Sequence, residues 1–244
     1  MRKVLAFDLG GTKFAFGVVA EDGTVLGSAR VETLAEAGPA QAVQRVAAAA
    51  QQLLTELKLK PADLLAIGIA SPGPLDTARG CVDGSPNLPG WTGYSIEGEL
   101  SKAFGHLPAR IDNDCNAAAL GEYVFGAGKG KRNLVYLTIS TGIGGGAVID
   151  GRLMRGANGN AAELGHIPLT MDGPRCGCGN QGCWEAYASG TAIARRTREA
   201  LAAGRPSSIL KFAGSIEQVT THHLFQAMAE GDALAQDIWA ESIN

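Results

Sequence analysis

The sequence predicts an α/β protein built from two similar halves, and three observations carry that prediction. A buried strand hands over to a glycine-rich loop and a returning strand within residues 3–31, and the same device recurs within 133–154. Apolar residues at Val43, Val46, Ala50, Leu53, Leu54 and Leu57 fall on one helical face between the two copies. From Gly190 onward the pattern is helical.

The elements follow in order. Residues 3–7 form a strand that runs into Asp8-Leu-Gly-Gly-Thr-Lys13 and returns as a strand over 14–20. The turn Glu21-Asp-Gly23 and a third strand over 24–31 complete a meander, not a βαβ unit. A helix over 40–58 precedes a strand over 64–70, which ends at Ser71-Pro-Gly-Pro74. The loop Asn87-Leu-Pro-Gly-Trp91 leads to a helix near 95–104. After Pro108 the pattern restarts: a short strand over 109–111 feeds Asp112-Asn-Asp-Cys-Asn116, and a helix runs over 117–125. A strand over 133–140 ends in Thr141-Gly-Ile-Gly-Gly-Gly146, and residues 147–154 form a returning hairpin.

Bulk properties narrow the function. A chain of 244 residues buries one large core or two moderate ones. Its 34 glycines show no collagen-like period and point to many tight loops. A net charge of −3 leaves no footprint for nucleic acid or an anionic membrane. No apolar run reaches the length of a membrane span. The start turns acidic and glycine-rich too soon for a secretory signal. Two isolated cysteines and three clustered ones form no disulfide framework, so a cytoplasmic setting is expected.

The cluster is Cys176-Gly-Cys178-Gly-Asn-Gln-Gly-Cys183-Trp-Glu185, preceded by Glu163-Leu-Gly-His166. Three thiols and an imidazole are the donors that tetrahedral Zn²⁺ prefers. A disulfide would leave one of the three unpaired, and Cys-x-Cys is awkward for a bridge. His166, Cys176, Cys178 and Cys183 fill all four positions, so the zinc is structural and holds Glu163 and Glu185 in place. The second ring nitrogen of His166 needs an orienting partner, and a ligand hydroxyl is one choice.

Asp8, Gly10, Gly11 and Thr12 put a carboxylate, bare backbone and a hydroxyl at the end of a strand. That suits Mg²⁺ and phosphate, with Lys13 as a further cation. Thr141, Gly142 and Gly144 supply the second loop, and two such loops facing each other would hold a polyphosphate through backbone N–H groups. No helix follows Gly142-x-Gly144, which excludes a dinucleotide fingerprint. Gly126-Ala-Gly-Lys-Gly-Lys131 lacks the Ser or Thr of a P-loop and reads as a solvated turn. His222 and His223 read as surface residues. Asn113 and Asp114 stand at a helix mouth, where one caps and the other stays ionised to orient a hydroxyl and take its proton late.

These motifs, with Pro72-Gly-Pro74 and Asn87-Leu-Pro-Gly-Trp91, resemble in order the ROK family of bacterial sugar kinases and sugar-responsive repressors. The resemblance implies an actin-like, ribonuclease-H-like fold of two α/β lobes, 1–110 and 111–244, with the active site in the cleft between them. It implies ATP-dependent phosphorylation of a hexose at the 6-hydroxyl, glucose first, in a homodimer. Alternatives are an N-acetylglucosamine or N-acetylmannosamine kinase, or a non-catalytic sugar-binding protein. By motif, Asp114 resembles the base. Gly73, Leu88, Asn113, Glu163, His166 and Glu185 resemble the sugar ligands. Asp8, Gly10, Gly11 and Thr12, with Thr141, Gly142 and Gly144, resemble the phosphate-binding elements for ATP, and Lys13 joins them as a cofactor-binding residue. Cys115 stands where relatives carry alanine, and the family's last strand, glycine motif and closing helices are expected to be missing.

Overall fold

In the computed structural model, which describes residues 1–85, 88–157 and 159–243, strand alternation builds the first sheet. Strand β1 (Lys3–Leu9) turns Leu5, Phe7 and Leu9 inward, and β2 (Lys13–Ala20) does the same with Phe14, Phe16 and Val18. The two pair antiparallel, with Phe7 opposite Phe16, and β3 (Val25–Glu32) continues the meander. Helix α1 (Pro39–Glu56) opens on a proline, whose missing N–H costs nothing in the first turn. It buries Val43, Val46, Ala50, Leu53 and Leu54.

Strand β4 (Ala66–Ser71) lies parallel to β1, and a small hairpin follows, β5 (Leu75–Asp76) and β6 (Cys81–Val82). Helix α2 (Ile96–Ala103) is capped by Ser95, whose Oγ accepts from Gly98 N. Strand β7 (Ala109–Asn113) pairs parallel with β4, which gives the order β3-β2-β1-β4-β7. Since β1, β4 and β7 run the same way, their carboxyl ends share one edge. Asp8 stands beside Ala70, Ala70 beside Asp112, and Ser71 beside Asn113. Ligands of open α/β sheets bind outside such an edge.

Helix α3 (Asp114–Val124) starts three residues before the predicted 117. The cause is Asn113, whose Oδ1 accepts from Cys115 N at 2.9 Å and Asn116 N at 3.2 Å. A cap of this kind contributes about 1 kcal/mol. Strands β8 (Leu134–Ile139), β9 (Ile143–Ile149) and β10 (Arg152–Leu153) form a sheet ordered β10-β9-β8. Strand β9 also starts early, so Gly144 to Gly146 are strand residues and not loop. Their bareness serves packing: a Cβ on Gly146 would lie 2.6 Å from Cys115 O, and one on Gly145 would lie 2.9 Å from Ala162 O.

Helices α4 (Trp184–Ala188), α5 (Gly190–Ala202), α6 (Leu210–Ala213), α7 (Thr221–Ala229) and α8 (Ala233–Ile243) complete the chain. Ile193, Leu201, Ile209, Leu224, Leu234 and Ile238 make their core. Among the described residues, no helix is long and apolar enough to cross a membrane.

Two compact units result, residues 1–134 with 146–161, and 135–145 with 162 onward. They divide the chain differently from the expected lobes 1–110 and 111–244, because α3 and the β9–β10 hairpin pack with the first sheet. Gly146 against Cys115 and Arg155 against Asp112 are the contacts that place them there.

Candidate active site

In the first unit, the turn between β1 and β2 is closed by its own backbone. Gly10 N donates to Lys13 O at 2.9 Å, Thr33 N donates to Thr12 O at 2.9 Å, and Thr33 Oγ1 donates to Gly10 O at 2.6 Å. A Cβ on Gly10 would lie 2.9 Å from Lys13 O, so this position needs glycine. Gly11, Thr12 and the exposed Lys13 ride on that turn. Asp8 reaches solvent, yet the protein around it raises its carboxyl above the ordinary value, and the charge of Asp114 adds to the shift. The strand edge thus brings two carboxylates close enough to feel one another, which is a site with a deficit of positive charge. Mg²⁺ fits that deficit.

Asp114 heads α3, and its Oδ1 accepts from Cys115 N at 2.8 Å. Asn113 caps the helix through Oδ1, while its Nδ2 lies 3.5 Å from where a Cβ on Gly73 would stand. Asn113 and Gly73 therefore adjoin. Leu88 is buried, and its N–H and carbonyl are used by Ser85 O and Trp91 N. Its N–H is thus engaged, while its carbonyl keeps a second lone pair for an acceptor bond. Asn87, from the same motif, lies outside the described residues.

Sequence reasoning missed the clamp behind Asp114. Asp112 Oδ1 accepts from Asn113 N at 2.8 Å and from Asn116 Nδ2 at 3.1 Å. Its Oδ2 meets Arg155 Nε at 2.9 Å and Arg155 Nη2 at 2.7 Å. A guanidinium thus fixes the carboxylate that fixes the strand–helix junction. The 43-residue separation left no local signal.

The second unit gathers the metal donors. One ligand atom each from His166, Cys176, Cys178 and Cys183 falls within 4.8 Å of all the others. His166 Nδ1 is 3.6 Å from Cys176 Sγ, and Cys178 Sγ is 3.7 Å from Cys183 Sγ. Zinc bonds of about 2.3 Å to sulfur and 2.0–2.1 Å to nitrogen set tetrahedral neighbours about 3.5–3.8 Å apart. The donor set and spacing both fit that ion. Burial pushes the Cys183 thiol up to about 12, helped by its neighbouring thiols, and burial also raises Cys176. A bound cation would supply the charge that lets these thiols deprotonate. His166 faces the donors with Nδ1, and its Nε2 lies 3.9 Å from Glu163 Oε2, so both can address one small ligand.

The second glycine loop is held differently from the first. Glu185 Oε2 accepts from Ile143 N at 2.8 Å, and a Cβ on Gly142 would lie 2.5 Å from that oxygen. Gly190 N donates to Ser140 O at 2.8 Å, and Thr191 N donates to Thr141 O at 3.3 Å. Gly144 lies beyond the loop, in β9. Thr141 also borders an apolar groove of about 1190 Å³ that Tyr187, Ile193, Phe225 and Trp239 line. Phe225 and Trp239 meet edge to face at 4.9 Å. The remaining motifs are structural: His223 Nδ1 accepts from Thr220 N at the start of α7, and Lys129 and Lys131 are exposed in a turn.

A family model for ROK proteins matches residues 4–244. The chain belongs to the ROK family. It is 42% identical over 233 residues to a glucokinase of Thermotoga maritima, covering 96% of this chain and 72% of that one. The ROK hexokinase of Thermus thermophilus superposes with a TM-score of 0.81 at 40% identity, over 98% of this chain and 73% of that one. A ROK glucokinase of Streptomyces griseus, in complex with glucose and AMPPNP, gives 0.77 at 37% identity, over 98% and 75%. The fold is accordingly the actin-like, ribonuclease-H-like one, and the order β3-β2-β1-β4-β7 is its mixed sheet.

Proposed function

We propose that this protein transfers the terminal phosphoryl group of ATP to the 6-hydroxyl of a hexose, with glucose the preferred acceptor. The observation that carries the reading is the gathering of Asp8, Gly73, Asn113 and Asp114 at the carboxyl edge of three parallel strands, in a ROK chain whose similar proteins are named as glucokinases and a hexokinase.

Asp114 orients the 6-hydroxyl and takes its proton as the bond to phosphorus forms. Phosphoryl transfer asks little more of the base, because the hydroxyl proton leaves late. The Nδ2 of Asn113 donates to a sugar oxygen beside Gly73. Glu163 and the Nε2 of His166 pair with further hydroxyls, and Glu185 offers the carboxylate oxygen that Ile143 does not use. A site built this way rejects acceptors lacking a hydroxyl, because its polar groups would then stay unpaired. The loops at Gly10 to Lys13 and Thr141 to Gly142 bind the phosphates through backbone N–H groups. The apolar groove beside Thr141 receives the base of the nucleotide.

Asp8 would hold Mg²⁺, directly or through water, and that ion supplies charge to offset the phosphates. His166 and the three cysteines would hold zinc, which supplies a fixed anchor with no open position.

The test is a coupled assay with MgATP against glucose, mannose, fructose, N-acetylglucosamine and N-acetylmannosamine. The reading expects the highest kcat/KM with glucose. A preference for an acetamido sugar would move the specificity, and no turnover with any of the five would refute it.

A further inference from the structure

We propose that the zinc-binding segment supports the second phosphate loop, with Glu185 as the link, so that zinc occupancy and nucleotide affinity are coupled. The proposal rests on the reading of residues 140–143 as a phosphate loop, and it concerns a role for Glu185 separate from any contact with sugar.

The connection runs through few residues. Cys183 is the N-cap of α4, and Glu185 lies in the first turn of that helix. Its Oε2 accepts from Ile143 N, and the next residues along the same path, Gly190 and Thr191, donate to Ser140 O and Thr141 O. Every residue from Ser140 to Thr141, and then Ile143, is therefore bonded to the stretch that begins at a metal ligand. The other end of Glu185 points back at the cluster, with Oε1 3.8 Å from Cys176 Sγ. Trp184 N also donates to Ile167 O at 3.0 Å, which ties α4 to the residue beside His166.

Helix α4 has five residues, far fewer than a helix needs to persist by itself. Its place depends on Cys183 being held. Without the ion, the donors have no common anchor, Glu185 loses its station, and Ile143 N loses its acceptor. The glycine at 142 fits the same account, since any side chain there would displace the carboxylate. Linkage then makes the effect reciprocal: nucleotide on the loop tightens the zinc by the factor by which zinc tightens the nucleotide.

The test uses the 244-residue chain with zinc content verified. MgAMPPNP affinity is measured by calorimetry in wild type, Glu185→Ala and Glu185→Gln, with Mg²⁺ in excess so that the nucleotide does not strip zinc. Glu185→Ala is expected to weaken MgAMPPNP about ten-fold, a typical coupling, while Glu185→Gln keeps an acceptor for Ile143 N and stays within about two-fold of wild type. Gly142→Ala retains Glu185 but drives it off Ile143, and it should reproduce the alanine result if Glu185→Ala folds poorly. In wild type, saturating MgAMPPNP should raise zinc affinity, read by competition with a chromogenic chelator, by the same factor. Tight MgAMPPNP binding that ignores Glu185, Gly142 and zinc overturns this inference alone. No MgAMPPNP binding to wild type overturns it together with the nucleotide reading.

Discussion

The two glycine loops look alike in sequence and are held by different means. The first, at Gly10 to Lys13, is closed by its own backbone and by Thr33, so its shape is a property of the sheet. The second, at Ser140 to Ile143, takes its bonds from Glu185, Gly190 and Thr191, residues that follow Cys183 of the candidate metal set. The difference teaches that one repeated device can be closed by itself in one copy and braced from outside in the other. Only the second should respond to metal.

The largest expected effect lies with Asp114, the proposed base. Asp114→Ala should lower turnover about 10²–10⁴-fold, the usual contribution of a positioned base, and leave zinc content and the Ile143 amide untouched. Retained turnover would remove the base from Asp114.

Cys178→Ser bears on the comparison itself. A structural zinc contributes on the order of 10 kcal/mol in small sites, so the variant should lose the ion and the order of its segment. Hydrogen exchange should quicken at the amides of Ile143, Gly190 and Thr191 and stay unchanged at Gly10 and Thr33. Equal change in the two sets would erase the distinction between the loops. Hexose affinity should fall as well, through His166 and Glu185.

A smaller loss is expected from Arg155→Met, which strands the Asp112 carboxylate behind Asp114. Slight misplacement of a reacting group can cost about 10²-fold, so kcat should drop by about ten- to a hundred-fold while the KM for hexose moves much less. Adding Asp112→Asn should cost little more, since the two side chains act as one unit.

Much of this was legible in the sequence, and the exceptions have physical reasons. The buried strand read at Lys3 to Phe7 is β1, and the spacing of Cys176, Cys178 and Cys183 with His166 gave the candidate metal set, because local patterns report local geometry. The helix mouth and a cap at Asn113 or Asp114 were legible, but the helix itself was started at 117, because the sequence does not say which of the two caps and so where the first turn begins. Gly144 to Gly146 were read as loop because a glycine needed for close packing looks the same as one needed for a turn. The β5–β6 hairpin is too short for any period to show. The pairing of Asp112 with Arg155 and the bond from Ile143 to Glu185 join residues 43 and 42 apart, and no local pattern marks either partner.

Alanine in place of each loop glycine sharpens the contrast at lower cost. At Gly10 the added Cβ meets main chain, Lys13 O, which cannot step aside, so Gly10→Ala should cost about 1–3 kcal/mol of stability. At Gly142 it meets the end of the Glu185 side chain, which can swing away. Gly142→Ala should therefore melt close to wild type and show its defect in nucleotide binding instead.

The smallest effect is that of Asp8→Asn on stability. Burial and Asp114 raise the Asp8 carboxyl in the folded state, so the charged form is disfavoured there. Wild type then loses stability as pH rises from below the ordinary value of 3.8 through the raised one. The asparagine variant should melt slightly above wild type at pH 7, by less than about 1 kcal/mol given solvent access, and the gap should close below that window. Its turnover should nonetheless fall, because the proposed Mg²⁺ site loses its carboxylate. A variant that melts lower at pH 7 would contradict the electrostatic reading.

The most direct measurement is phosphorus NMR of wild-type protein incubated with glucose and MgATP. The account predicts that the ATP signals decline in step with a new phosphomonoester whose phosphorus couples to the two protons on carbon 6. ATP left intact, inorganic phosphate as the sole product, or a phosphate on another carbon would contradict it.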